Sequence, residues 1–90
     1  MKSVQCRMAR AALMWNTLTL AKQANVGVNT VNRFEAGEGV WISSVEKIQA
    51  ALQKAGVVFI EDDGEGLGVR LKRRSNQRHQ DGPSPAERGG

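Results

Sequence analysis

Ninety residues leave room for one small domain with an attached tail, which excludes a large enzyme. A hydrophobic share of 40% is enough for a compact core, and 24% charged residues is ordinary, so a wholly disordered chain is excluded as well. Net charge is +4, but it is segregated: residues 1–34 carry +5 with no acid, residues 35–65 carry −5, and residues 66–90 carry +4, which points the first block toward a polyanionic partner.

The first predicted helix has apolar residues at Val4, Met8, Ala11, Ala12 and Trp15, the spacing of one amphipathic stripe, with Ser3 as its N-cap. Asn16 interrupts that pattern. Its side chain suits the N-cap of a second helix whose inward face is Leu20, Ala21 and Ala24. Asn25 tolerates the left-handed conformation that ends a helix, and Gly27 loosens the turn that follows. A third helix is predicted over residues 28–36. At 100° per residue, Val31, Phe34 and Glu35 share one side, while Asn29 and Arg33 lie opposite.

Gly37 and Gly39 stop the third helix, and residues 40–42 are predicted to be extended. Ser43 or Ser44 then caps a fourth helix with Val45, Ile48, Ala51, Leu52 and Ala55 inward. Beyond Gly56 the period changes. Val57, Val58, Phe59 and Ile60 form a β-branched and aromatic run, residues 61–68 are acidic and glycine-rich, and residues 69–72 alternate apolar with basic, so a β-hairpin is predicted. The continuous run at residues 57–60 fits a strand covered on both sides. Residues 73–90 hold no aliphatic residue other than Ala86 and read as a disordered basic tail.

Two short helices joined by a tight turn, the second with an apolar back and a polar front, make a helix-turn-helix arrangement. The segment Trp15 to Gly37 resembles the Cro/repressor-type family, often called XRE. The resemblance rests on Leu20-Ala21, Ala24, Val26, Thr30-Val31 and Glu35-x-Gly37, about a quarter of the chain. Four positions depart from the family pattern. Thr17 stands where glutamine is usual, Asn25 where glycine is usual, Gly27 where serine is usual, and Met14 where glycine is common. The resemblance implies a mainly α, four-to-five-helix Cro/repressor-like DNA-binding domain over residues 1–56. A hairpin at 57–72, for packing or dimerisation, and the tail at 73–90 follow it.

Chemistry assigns roles within that frame. Asn29 is suited to the N6/N7 edge of adenine and Arg33 to O6/N7 of guanine, one helical turn apart on the same stripe, and Val28, Thr30 and Asn32 flank them. Asn16 and Thr17 lie at a helix N-terminus, where free N–H groups favour phosphate, and Lys22 and Arg7 are further phosphate candidates. The carboxylate of Glu35, on the inward side of the third helix, needs a partner. In the family an arginine on the first helix fills that role, and Arg10 stands at the matching place.

Other signals are weaker. Gly64-Glu65-Gly66-Leu67-Gly68 precedes a strand and lies among acids, so it reads as a turn and not a phosphate loop. The acids beside it lack calcium-loop spacing. Cys6 and His79 lie in separate segments and make neither a zinc site nor a catalytic pair, so no enzyme, metal or cofactor is expected. Trp15 and Trp41 are expected to pack at the core or its rim. A single cysteine forms no internal disulfide, and no apolar run approaches the ~20 residues of a membrane span, so a cytoplasmic protein without membrane contact is expected.

The leading expectation is a dimeric transcriptional repressor or autoregulator that reads double-stranded DNA with the third helix. Its dimer would use the hairpin at Val57, Val58, Phe59 and Ile60, the fourth helix, or both. The alternative is a protein-interaction module of antiactivator or antitoxin type, binding a partner protein through outward-facing Leu18, the hairpin or the tail.

Overall fold

The computed structural model describes residues 1–72, so the predicted tail at residues 73–90 lies outside the described residues. Four helices, α1 (Ser3–Leu13), α2 (Thr17–Ala24), α3 (Val28–Glu35) and α4 (Ile42–Lys54), precede an antiparallel hairpin of β1 (Val57–Ile60) and β2 (Gly68–Leu71). The mainly helical class and the hairpin agree with the sequence reading. None of the described helices is long and apolar enough to cross a membrane.

Helix α1 differs from its expectation at both the cap and the buried face. Lys2, not Ser3, occupies the N-cap, and its backbone N–H donates to Gln5 Oε1 at 2.8 Å. The Ser3 hydroxyl instead donates to the Phe34 carbonyl at 2.7 Å, tying α1 to α3. The buried side chains are Gln5, Cys6 and Ala9, whereas Ala11 and Ala12 are exposed. Cys6, Ala9 and Leu13 form a second stripe with helical spacing, and its small side chains let α1 lie close to α3 and β2. Gln5 joins this face because its amide is fully hydrogen-bonded there.

Helix α1 ends at Met14, which takes the left-handed conformation at φ 58°. Asn16 caps α2 as predicted, its Oδ1 accepting the Thr19 N–H at 2.8 Å. Leu20, Ala21 and Ala24 are buried, and Asn25 ends the helix at φ 58°. Gly27 is the N-cap of α3 at φ −71°, where any residue fits, so its conformational freedom is unused. Helix α3 buries Val31 and Glu35 and stops one residue earlier than predicted, at Glu35.

The segment after α3 also departs from expectation. Helix α4 begins at Ile42 with Trp41 as N-cap, and Ser43 and Ser44 lie inside its first turn. Backbone bonds from Ser44 and Val45 N–H to the Trp41 carbonyl close that turn without a capping side chain, and Ile42 and Ser43 are exposed, where water can meet their N–H groups. Ile48 and Leu52 are buried as predicted, with Val45, Ala51 and Ala55 half-buried.

The hairpin pairs Val57 with Leu71, Phe59 with Val69 and Ile60 with Gly68. Val57 is buried, and Phe59 and Val69 pack against the core formed by Cys6, Leu20, Val31, Ile48 and Leu52. Val58 and Ile60, on the other face of β1, are only half-buried. Complete cover on both faces, expected from the continuous apolar run, is therefore not found, because the helices lie on one side of a two-stranded sheet. The acidic connection is a turn, as predicted: Asp62 Oδ1 accepts from Gly64 and Gly66 N–H, each at 3.0 Å.

Candidate nucleic-acid interface

Helix α3 presents one polar face. Asn29, Asn32 and Arg33 are exposed, Thr30 is half-buried beside them, and Val28 is half-buried with its side chain packed against the core. Of the five residues assigned to base reading, four thus carry polar groups on or beside the outward stripe, and Val28 serves packing. Asn16, Thr17 and Lys22 lie on α2 or at its start, with Asn16 and Lys22 exposed and Thr17 half-buried.

The back of α3 is locked at its C-terminal end. Glu35, 8% exposed, receives Arg10 Nε on Oε2 at 2.6 Å and Arg10 Nη2 on Oε1 at 2.8 Å, the two-pronged geometry that fixes both planes. Arg10 Nη1 donates to the Trp15 carbonyl at 3.1 Å, which extends the lock to the α1–α2 turn. The pair raises the affinity of Arg10 for its proton above the ordinary arginine value, chiefly through the hydrogen bonds to Glu35. Arg7, a phosphate candidate from sequence, donates from Nη1 to the Glu35 carbonyl and so has a structural partner.

Cys6 completes this cluster. Its thiol donates to Glu35 Oε2 at 3.2 Å, and burial, reinforced by the carboxylate, pushes it up to about 12 from 9.0. A thiol held that high stays protonated and unreactive at neutral pH.

Beside the polar face, Thr30, Arg33, Gly39, Val40 and Trp41 line an open groove of about 430 Å³. Trp41 is 81% exposed and Ile42 76% exposed, so the expected packing of Trp41 is not found. The turn between α3 and α4 swings it away from the core. Trp15 does pack, half-buried against the core. Sequence reasoning placed Trp41 at the core or its rim and passed over Glu38. The one available signal was an apolar pair, Trp41-Ile42, just before a helix with neither residue on its inward spacing. Leu18 is exposed as predicted, at 51%, and Met14 nearby in sequence is also exposed.

No protein-family model matches the chain, and no curated protein matches it.

Proposed function

We propose that the protein is a sequence-specific, double-stranded-DNA-binding transcriptional regulator of the Cro/repressor type, acting as a dimeric repressor or autoregulator with α3 in the major groove. The carrying observation is the exposed row of Asn29, Asn32 and Arg33 on a helix whose opposite side is fixed by the Arg10–Glu35 pair. A reading helix needs both properties: amide and guanidinium groups that match base edges, and a rigid mount that keeps them in register. The α2 N-terminus supplies the orienting phosphate contact through Asn16 and Thr17, and exposed Lys22 adds charge on the same helix.

Binding is measured by fluorescence anisotropy on duplexes selected from a randomised pool, across a salt series. Arg33→Ala is expected to lose about 1–3 kcal/mol of preference at one guanine position while keeping its fold. Full retention of sequence preference in that variant would refute the assignment. The half-buried outer face of β1, Val58 and Ile60, supports a dimer through the hairpin. Ile60→Lys is expected to shift the sedimentation coefficient to that of a monomer, and an unchanged dimer would place the interface elsewhere.

The exposure of Leu18 and Met14 supports the second reading, binding of a partner protein in the manner of an antiactivator or antitoxin-like module. In that case Leu18→Ser abolishes the regulatory effect in cells with DNA affinity intact, whereas Arg33→Ala leaves the effect unchanged.

A further inference from the structure

The proposed guanine reader is held by its own helix end. Helix α3 closes with Gly37 at φ 83°, the Gly37 N–H donating to the Phe34 carbonyl at 3.0 Å and the Glu38 N–H to the Arg33 carbonyl at 2.9 Å. These two bonds define a Schellman turn, which folds the second residue past the cap back beside the third-last helical residue. Apolar side chains usually meet there. In this chain the two positions are Glu38 and Arg33, and Glu38 Oε1 lies 3.6 Å from Arg33 Nε. Arg33 Nη2 also donates to the Gly39 carbonyl at 3.3 Å.

Nε and Nη2 form one edge of the planar guanidinium, so both contacts engage the same side. The end-on pair, Nη1 with the second hydrogen of Nη2, is left for an external acceptor. We infer that Glu38 is a specificity-determining positioning residue: its carboxylate draws on the side-on edge of Arg33 that the Gly39 carbonyl hydrogen-bonds, and the two together aim the end-on fork at guanine O6 and N7. This inference rests on the DNA-reading function proposed for α3. Its carboxylate has a second consequence. An unpaired arginine here would seize any phosphate, and the neighbouring negative charge offsets that attraction, leaving base geometry to decide.

Orientation and charge are separable, because glutamine keeps an acceptor oxygen and removes the charge. The unaltered protein, Arg33→Ala, Glu38→Ala and Glu38→Gln are compared on duplexes selected from a randomised pool. Arg33→Ala first identifies the guanine that depends on Arg33. Glu38→Ala is expected to shrink discrimination at that guanine by about three- to fivefold, the scale of an exposed ion pair, and Glu38→Gln to restore it. Both Glu38 variants are expected to bind random-sequence duplex more tightly, a gain that fades as salt rises.

Unchanged discrimination in Glu38→Ala overturns the inference, as does Glu38→Gln behaving like Glu38→Ala at the guanine. Selection of a site with no Arg33-dependent guanine overturns it while leaving DNA reading in place. Failure of the unaltered protein to select any sequence overturns DNA reading itself, and the inference with it.

Discussion

At the scale of single residues, the molecule concentrates its polar interior at Glu35. One carboxylate accepts from Arg10 and Cys6, and its own backbone carbonyl accepts from Arg7. Removing one member leaves a buried charge without its partner, which costs more than the pair itself contributes. Arg10→Ala is therefore expected to lower unfolding stability by about 3 kcal/mol, whereas the double replacement Arg10→Met with Glu35→Leu loses much less; urea titration distinguishes the two. The thiol adds a pH term. Because Cys6 is raised from 9.0 to about 12 in the folded state, its unfolded form ionises first as pH rises. Its stabilising contribution is thus complete below pH 9 and declines from there up to about pH 12. Cys6→Ala is expected to flatten that alkaline decline in urea midpoints measured between pH 8 and pH 11.

At the scale of elements, Gln5 joins the first helix to the last. It is fully buried, its Nε2 donates to the Ile60 and Gly68 carbonyls at 3.1 Å each, and its Oε1 accepts from Lys2. Those two carbonyls face each other at the loop end of the hairpin, so one amide closes the sheet and fastens it to α1. Gln5→Leu is expected to destabilise by about 2 kcal/mol through unsatisfied carbonyls, with loss of hydrogen-exchange protection in the hairpin ahead of α2 and α4. This bolt was illegible beforehand, since glutamine in a helix reads as surface. The elements themselves were legible. Apolar spacing located α2, α3, α4 and both strands, and the Asn16 cap and the Asn25 stop held because each depends on local chemistry. Periodicity failed for α1, where two stripes overlap and only the neighbouring elements decide between them. It also failed at Trp41, whose place is set by the Gly37 turn, not by any repeat. In the candidate site, the need of Glu35 for a partner was legible from its inward face, and Arg10 as that partner from the family resemblance. The Glu38 contact was not, because it needs the chain reversal after α3.

At the scale of the whole molecule, the three charge blocks separate by role. The acid-free first block contains α1, α2 and most of α3, while Asp62 and Asp63 of the hairpin loop accept hydrogen bonds within their own turn. Positive potential is therefore strongest along the first three helices and again from β2 onward, with the acidic loop between them. Residues 73–90 carry a net +2. Truncation after Lys72 is expected to preserve sequence preference and to reduce the slope of log affinity against log salt by no more than about 4, one for each of the arginines lost. Loss of preference would assign the tail a direct reading role.

The ties on α3 are distributed unevenly along its length. Ser3, Arg7 and Arg10 all grip residues 34 and 35, whereas the start of the helix has a glycine cap and no side-chain hydrogen bond among the described residues. Its first half is held by packing instead, through buried Val31 and half-buried Val28 against the core. The two halves of α3 therefore answer to different solution conditions: a change in pH or salt acts on its last turn, where the charges are, and a change in temperature or denaturant on its apolar first half.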